Sequence, residues 1–429
     1  MIRWLLIGWM FVISAVAYLD RVNISIAGQF LQRDFHLDNT QLGAVFSAFV
    51  LGYALAQAPG GRLADRFGPR IVVAAGTLWW GAFTALSGSV PLGVAGVFAI
   101  LMAVRFTLGV GEAVVYPASN ALVSSWIPSR ERGIANGWIF AGVGVGAGVA
   151  PPLINAIILS RGWRWSFWVS ALIGLAAGAV WLVIARDRPD QHPWIAAEEA
   201  RHIQAGLPQR ASARRLSWLA ILRDKNVLAV TLSYSCYGYI AYIFFTWFFI
   251  YLSKVRGLDL KSSSYYSMLP FIAMATCSPL GGWISDGLTR VYGKRIGRCG
   301  VAMFGIALSG IFIALGTQVR DARLASVVLA GGAGALYLSQ SVFWSMTADL
   351  GGSSAGSVSG IMNMGNQLAG TITASLTPYL ASHFGWTASF LTAAGLAGIG
   401  CLAWLLVDPG RAVEAPSSAP SIAPEHSPA

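Results

Sequence analysis

Charged residues are scarce in this sequence. Asp, Glu, Lys and Arg together make up 11% of the 429 residues, whereas apolar residues make up 55%. A water-soluble domain carries about 25% charged residues, so this composition excludes an ordinary soluble globular protein. A helix of about 20 apolar residues crosses the hydrocarbon of a bilayer. The sequence therefore predicts an all-α protein that spans a membrane many times.

Cysteine and histidine are also few. The four cysteines lie in or beside apolar stretches and show no CxxC or Cys/His spacing typical of a metal site. We therefore expect no disulfide, no metal and no cofactor. No His/Asp/Cys constellation favours an enzyme either.

The first apolar stretch lacks a small-residue cleavage site, so we expect it to be retained as a span and not removed as a signal peptide.

Twelve apolar windows, each bounded by Gly, Pro or charged residues, divide the chain. They cover residues 4–27, 40–60, 71–90, 96–118, 133–158, 165–185, 226–252, 264–284, 299–318, 324–346, 356–381 and 386–407. We predict a six-helix bundle over 1–185, a cytoplasmic linker over 186–225 and a second six-helix bundle over 226–407. Residues 408–429 are rich in Pro, Ala and Ser, and we expect a disordered cytoplasmic tail there.

Two short segments recur at nearly the same offset. GGRLAD at 60–65 returns as GGWISD at 281–286, and GWRWSF at 162–167 returns as GWTASF at 385–390. Each segment stands at the same place in its half, which indicates a duplicated six-helix unit. Transporters built from such repeats bind their substrate between the repeats, near the bilayer midplane.

The net charge of +11 is explained by topology. In a twelve-span arrangement most of the 29 basic residues fall on one side, including Arg132, Lys294 and Arg298. By the positive-inside rule this side is the cytoplasm, and both termini lie on it. We therefore expect contact with anionic membrane lipids and no nucleic-acid partner.

Four charged residues remain inside the predicted spans: Asp20 and Arg21 in the first, and Arg105 and Glu112 in the fourth. Ionisable groups in a membrane are costly and are usually functional. Guanidinium groups suit the binding of a carboxylate, and the two carboxylates could carry protons. The alternative is that the four residues form structural ion pairs that lock these two helices together.

Neutral polar residues in other spans are candidate substrate contacts. Tyr53 and Gln57 lie four residues apart on one face of the second span, and Asn363 and Asn366 lie in the eleventh. They could bind the polar body of a small anion. The alternative is that Tyr53 packs and Gln57 bonds a neighbouring helix, since such amide bonds are common between membrane helices.

The segment GRLADRFGPR at 61–70 resembles the loop signature of the major facilitator superfamily, and Asp286 echoes it in the second half. The resemblance implies a conformational role for a set of signature residues. These are Gly61, Asp65, Arg66, Gly68 and Asp286.

Within that superfamily, YLDRVNIS at 18–25, RFTLGVGE at 105–112 and Tyr116-Pro117 resemble the anion:cation symporter family. That family includes bacterial galactonate, hexuronate, glucarate and phthalate transporters and vertebrate vesicular glutamate and sialic acid carriers. The resemblance implies proton-coupled symport of a small organic anion through a bacterial inner membrane by a monomer. The site roles that it implies are Asp20 and Glu112 as proton carriers, Arg21 as carboxylate ligand, Arg105 as ion-pair partner, Tyr53 as substrate contact, and Asn363 or Asn366 as the contact from the second half.

Other functions remain open from sequence. An antiporter that exports an organic anion or a drug and a sodium-coupled anion symporter share the same fold. A transport-inactive membrane sensor and a membrane enzyme belong to other classes.

Overall fold

The computed structural model describes residues 1–207 and 216–413. Within these residues the chain is helical and contains no strand. The helices of the first half are α1 (Ile2–Phe35), α2 (Asn39–Phe67), α3 (Pro69–Ser89), α4 (Val97–Glu112), α5 (Val115–Trp126), α6 (Arg132–Arg161) and α7 (Trp163–Ile184). Two short helices, α8 (Ala197–Gly206) and α9 (Trp218–Arg223), lie in the linker. The second half contains α10 (Lys225–Thr246), α11 (Phe248–Ile250), α12 (Leu260–Lys294), α13 (Val301–Gln318), α14 (Ala322–Gly351) and α15 (Ala355–Ala403).

The internal repeat is visible in the backbone as well as in the sequence. Gly68 and Gly162 have φ values of 87° and 89°, and they separate α2 from α3 and α6 from α7. Gly293 and Gly385 have φ values of 80° and 84° and break α12 and α15 at the corresponding places of the second half. Glycine adopts such angles without steric cost. The same sharp breaks therefore occur twice.

Nine segments of the described residues are long and apolar enough to cross a membrane. Two of them, Tyr265–Gln318 and Ala322–Leu406, contain 54 and 85 residues, far more than the roughly 20 that one crossing needs. Gly293 divides the first, and Gly352 (φ 50°) and Gly385 divide the second. These breaks agree with the predicted windows, while the count of twelve spans and the side of the termini stay predictions.

The two halves pack in equivalent ways. In the first half α1 contacts α6 and α7, α2 contacts α4, and α3 contacts α7. In the second half α10 contacts α15, and α12 and α13 both contact α14. Between the halves the main contacts are α6 with α12 and α2 with α15. The repeat relates α2 to α12 and α6 to α15, so these two interfaces are copies of each other.

We call the end of the molecule at which Asp65 and Asp286 lie the closed end, because the halves meet there. The carboxylate of Asp65 accepts hydrogen bonds from the backbone N–H groups of residues 356 and 357, at 2.9 and 2.7 Å. The carboxylate of Asp286 accepts from the N–H groups of residues 133 and 134, at 3.0 and 2.7 Å. Both carboxylates thus bind a helix N-terminus of the opposite half, where the helix dipole favours negative charge.

Two pairs of glycines allow this approach. A Cβ atom on Gly61 would lie 1.9 Å from the carbonyl oxygen of Gly356, and a Cβ on Gly282 would lie 2.1 Å from that of Gly133. No other residue fits at such distances from backbone atoms. The signature glycine Gly61 therefore lies at a helix contact between the halves.

The remaining signature residues lie beside this contact. Gly68 forms the sharp turn before α3, where the N–H of Arg70 donates to Asp187 Oδ1 at 2.8 Å. Arg66 is exposed, with its guanidinium 5.1 Å from the ring centroid of Phe67.

Ion pairs also stabilise the closed end, and the buried pair between Arg132 and Asp349 joins the two halves. Asp349 pairs with Arg132 at 2.5 Å and with Lys294 at 3.0 Å, and Arg298 pairs with Asp286 at 2.7 Å. The sequence predicts that all three cations lie outside the spans, on the side assigned to the cytoplasm. The structure shows in addition that the side chains of Arg132 and Arg298 are buried, which a hydropathy window does not indicate.

The end of the chain packs onto the second half as far as it is described. Asn226 donates to the carbonyls of Asp408 and Arg411, both at 3.2 Å. The N–H of Val413 donates to the carbonyl of Leu350 at 3.1 Å. The rest of the predicted tail, 414–429, lies outside the described residues.

Candidate functional site

A cavity of about 430 Å³ lies between the two halves. The first half lines it from α1, α2, α4, α5 and α6, and the second half from α10, α12, α14 and α15. This is the size of many small-ligand sites. Five of the predicted substrate contacts line it, namely Arg21, Arg105, Tyr53, Asn363 and Asn366. The cavity therefore lies where the repeat predicts a substrate site.

The close approach of α4 to α2 positions the charged residues. A Cβ on Gly52 would lie 2.2 Å from the carbonyl oxygen of Phe106, and a Cβ on Gly109 would lie 2.2 Å from that of Phe49. The two backbones are thus in direct contact. As a result Arg105, one turn before Gly109, lies beside the aromatic residues of α2.

Arg21 forms the one ion pair of the cavity region among the described residues. Its Nε lies 2.6 Å from Oε1 of Glu112, which is fully buried. The guanidinium carbon lies 4.0 Å from the ring centroid of Tyr53, 4.7 Å from that of Tyr18 and 5.2 Å from that of Phe49. Aromatic faces attract a cation at such distances. Nη2 of Arg21 is buried and has no hydrogen-bond partner, so it can still donate to a ligand.

Arg105 carries a free guanidinium. It is 2% exposed and lines the cavity, but its Nε and Nη1 have no hydrogen-bond partner. Among the described residues no carboxylate lies within the 4.0 Å of an ion pair with it. Its guanidinium carbon lies 4.9 Å from the ring centroid of Phe49. The ion-pair role that the resemblance implied for Arg105 is therefore held by Arg21 in this arrangement.

The two membrane carboxylates lie behind the cavity wall. Asp20 is 1% exposed, and its Oδ2 accepts a hydrogen bond from the hydroxyl of Thr84 at 2.7 Å. Oδ1 of Asp20 and Oε2 of Glu112 are buried without a partner. Buried polar atoms are normally paired, so these two unpaired oxygens are exceptions. Each carboxylate thus retains an oxygen on which a proton can reside.

The neutral candidates divide into two groups. Tyr53, Asn363 and Asn366 line the cavity, and Oδ1 of Asn366 has no partner. Gln57 is fully buried and accepts a hydrogen bond from Nδ2 of Asn363 at 2.9 Å, across the two halves. Gln57 does not line the cavity. It therefore takes the alternative role of bonding a neighbouring helix.

Most of the aromatic lining of this cavity was not predicted from the sequence. Tyr18 lies one turn before Arg21 and Phe49 one turn before Tyr53, so helical spacing from the predicted residues could have identified both. The other aromatic lining residues are Phe46, Tyr116, Phe140, Tyr234, Tyr237, Tyr242, Phe245, Phe271, Tyr337 and Trp344. These residues form the apolar wall of a site with few polar anchors.

The second half contributes hydrogen-bonding groups without charge. Tyr242 donates its hydroxyl to Oε1 of Gln367. The hydroxyl oxygen of Tyr234 accepts from Nε2 of Gln340 at 2.9 Å and from Nε1 of Trp344 at 3.0 Å. A charged wall from one half therefore faces a neutral, polar and aromatic wall from the other.

Comparison with known proteins agrees with this architecture. The sequence profile of the Major Facilitator Superfamily matches residues 10–374 and 288–428. The chain is 34% identical over 418 residues to a probable sulfoacetate transporter, SauU, of Cupriavidus necator, with 96% of each chain covered. It is 29% identical to a hexuronate transporter of Bacillus subtilis, with 92% of each chain covered.

Among solved structures, the proton:xylose symporter XylE superimposes with a TM-score of 0.75 at 16% identity, covering 95% of this chain and 97% of that one. This likeness shows the fold. The relatives are transporters and not enzymes, and they include carriers of organic anions. The chain is a multi-pass membrane transporter that belongs to the Major Facilitator Superfamily, of the anion:cation symporter type.

Proposed function

We propose that this protein imports a small organic anion by symport with protons, through alternating access of the central cavity. The observation that carries the proposal is the free guanidinium of Arg105. A buried cation with two unpartnered N–H donors is costly unless an anion completes it. No protein carboxylate pairs with it within the described residues, so a substrate anion is the natural partner.

The ion pair between Arg21 and Glu112 supplies a coupling step. When a substrate anion binds Arg21, it competes with Glu112 for the same guanidinium. A buried carboxylate that loses its counter-ion is stabilised by taking up a proton. Substrate binding and protonation of Glu112 therefore favour each other, and this mutual dependence is what symport requires.

Asp20 is the second proposed proton carrier. It is buried beside α3 and lies within electrostatic range of Arg105, although the two form no ion pair. A substrate anion bound to Arg105 would weaken the attraction between Arg105 and Asp20. In the same way, an anion bound to Arg21 would weaken the attraction between Arg21 and Glu112. Each arginine would then report substrate binding to one carboxylate.

The direct test is uptake into proteoliposomes. Purified full-length protein is reconstituted, and uptake of radiolabelled sulfoacetate or a hexuronate is measured with a pH gradient or a sodium gradient imposed separately. We expect the substrate to accumulate inside above its equilibrium concentration when the outside is acidic and the lumen is neutral. We expect no accumulation when only a sodium gradient is imposed. Accumulation with a sodium gradient alone would establish the sodium-coupled alternative. Extrusion of substrate from loaded vesicles under the same pH gradient would favour an exporter.

Two substitutions test the coupling. Glu112→Gln and Asp20→Asn should abolish uphill uptake while leaving exchange of labelled for unlabelled substrate. Glu198→Gln, on the exposed surface of α8, removes the same charge away from the cavity and serves as the control. If both cavity variants accumulate substrate as the control does, neither carboxylate is the coupling site.

We further propose that the protein is a monomer of a bacterial inner membrane, with the closed end facing the cytoplasm. The support for the orientation is the clustering of basic residues at the closed end and in the linker, which the positive-inside rule places inside the cell. Alkylation of single cysteines at this end in intact cells, with permeant and impermeant reagents, tests the orientation.

A further inference from the structure

Two guanidinium groups flank one phenyl ring in the cavity. The guanidinium carbon of Arg21 lies 5.2 Å from the ring centroid of Phe49, and that of Arg105 lies 4.9 Å from the same centroid. The two carbons are therefore at most about 10 Å apart. Both groups retain buried N–H donors without a partner. One small molecule can reach both.

The charges of the site balance only in certain states. Two arginines and two carboxylates, Asp20 and Glu112, give a neutral set when no substrate is bound. If both carboxylates take up protons, the set carries two positive charges in a largely apolar environment. A net charge in such an environment is unfavourable, so the loaded state is stabilised most by a substrate that brings two negative charges.

We propose that the substrate is a dianion: a short carbon body with two acidic groups, one bound by Arg21 and the other by Arg105. The inference rests on the proposed function and specifies its substrate class. In the loaded state Glu112 is protonated and releases Arg21, so each guanidinium binds one acidic group of the substrate. A monoanion satisfies only one of them and leaves the other buried without a partner.

The rest of the lining sets limits on this substrate. Among the described residues that line the cavity, Arg21 and Arg105 are the two cations, and the polar groups from the second half are all neutral. A third acidic group would therefore meet no cation. The volume of about 430 Å³ admits a compact diacid, and the aromatic wall packs against its carbon body.

The test compares matched anions on the purified full-length protein. Sulfoacetate and isethionate share a two-carbon sulfonate, and they differ in that a carboxylate replaces a hydroxymethyl group. Binding is measured by isothermal titration calorimetry and by the shift in the thermal unfolding midpoint, at a pH where both acids are ionised. We expect sulfoacetate to bind about 10- to 100-fold more tightly, because a buried bidentate ion pair is gained. Malonate and 3-hydroxypropionate form a second pair without a sulfonate, and the trianion citrate should bind no better than a monoanion.

A substitution identifies the second anchor. In Arg105→Gln the sulfoacetate-to-isethionate ratio should fall to within about threefold, whereas Arg105→Lys, which keeps the charge, should retain part of it. Arg130→Gln, on the exposed surface, is the matched control and should keep the wild-type ratio. Gel filtration of each variant checks that it is folded.

The outcomes separate the two proposals. If none of these anions binds or enters proteoliposomes, the proposed function itself is wrong. If isethionate binds wild-type protein as tightly as sulfoacetate does, and 3-hydroxypropionate as tightly as malonate, the dianion inference is overturned while anion transport stands. This comparison needs no variant, so a misfolded Arg105→Gln does not affect it. A folded Arg105→Gln that keeps the full ratio overturns the assignment of Arg105.

Discussion

Substituting Gly282 by alanine should open the closed end. The new Cβ would lie 2.1 Å from the carbonyl oxygen of Gly133 and 2.4 Å from its carbonyl carbon. These are backbone atoms, so no side-chain rotation relieves the clash. Ordinary contact begins near 3.4 Å, and α12 must therefore retreat from α6 by about 1.3 Å.

That retreat also affects Asp286 on the same helix. Its hydrogen bonds from the N–H groups of residues 133 and 134, now 3.0 and 2.7 Å, would lengthen beyond bonding distance. Overpacking costs about 1–3 kcal/mol, and hydrogen bonds to a charged group contribute about 1.5–3 kcal/mol each. With partial relaxation we expect a loss of about 2–4 kcal/mol for the closed arrangement, which multiplies the open population by about 30- to 700-fold.

A buried cysteine reports the opening. Thr347 is 1% exposed, and its hydroxyl accepts a hydrogen bond from Nδ2 of Asn120 across the halves at 2.9 Å. In a chain without its four native cysteines, Thr347→Cys should be alkylated by N-ethylmaleimide only when the closed end opens. Gly282→Ala should raise the alkylation rate by the factor given above, up to the rate of a fully exposed thiol.

Gly287→Ala is the matched control. It lies five residues further along α12, and a Cβ there meets no atom within 4 Å. Both substitutions replace glycine by alanine in the same helix, so the general gain in helix propensity is shared. If Gly282→Ala and Gly287→Ala give the same alkylation rate in folded protein, the glycine contact does not control opening and the reasoning is refuted.

Three further predictions concern the same interfaces and the cavity. In Gly61→Ala the new Cβ would lie 1.9 Å from the carbonyl oxygen of Gly356. This substitution should raise the alkylation rate of the Thr347→Cys thiol as Gly282→Ala does, and an unchanged rate would contradict the prediction. Tyr53→Leu should raise the half-saturation concentration for uptake about ten- to thirtyfold, because a buried cation–π contact with Arg21 is lost, whereas Tyr53→Phe should change it less than about threefold. Equal effects of the two would show that the hydroxyl and not the ring matters. Asp349→Asn removes the partner of two cations and should cost about 3 kcal/mol, seen as a lower thermal unfolding midpoint in detergent; an unchanged midpoint would mean that the pair adds no stability.

The repeat and the intramembrane charges could be predicted from sequence because each has a local signal. The segments at 60–65 and 281–286 share two glycines and an aspartate at the same spacing, and Arg105 and Glu112 stand out in apolar surroundings. Their partners could not be predicted. Arg21 and Glu112 are 91 residues apart, and nothing in the sequence distinguishes this pair from one between Asp20 and Arg105.

The buried ion pairs of the closed end escaped prediction for a related reason. Arg132 and Asp349 are 217 residues apart and lie at helix ends, where charged residues are usually solvated. Only the meeting of α6 with the second half buries them. Likewise the role of Gln57 depended on whether Asn363 of the other half came within 2.9 Å, which is a property of the tertiary packing.

The repeat explains the closed end but not the charges of the cavity. Positions 221–223 residues after Asp20 and Arg21 fall within 241–244, and those after Arg105 and Glu112 fall within 326–328 and 333–335. None of these positions is charged, although the same repeat preserved Asp65 as Asp286 and kept both glycine contacts. The second half therefore folds into the same arrangement of helices without an equivalent of the Arg21–Glu112 pair. Ion pairing is thus not required to pack these helices, which favours a role for the four charges in binding and coupling over a purely structural one.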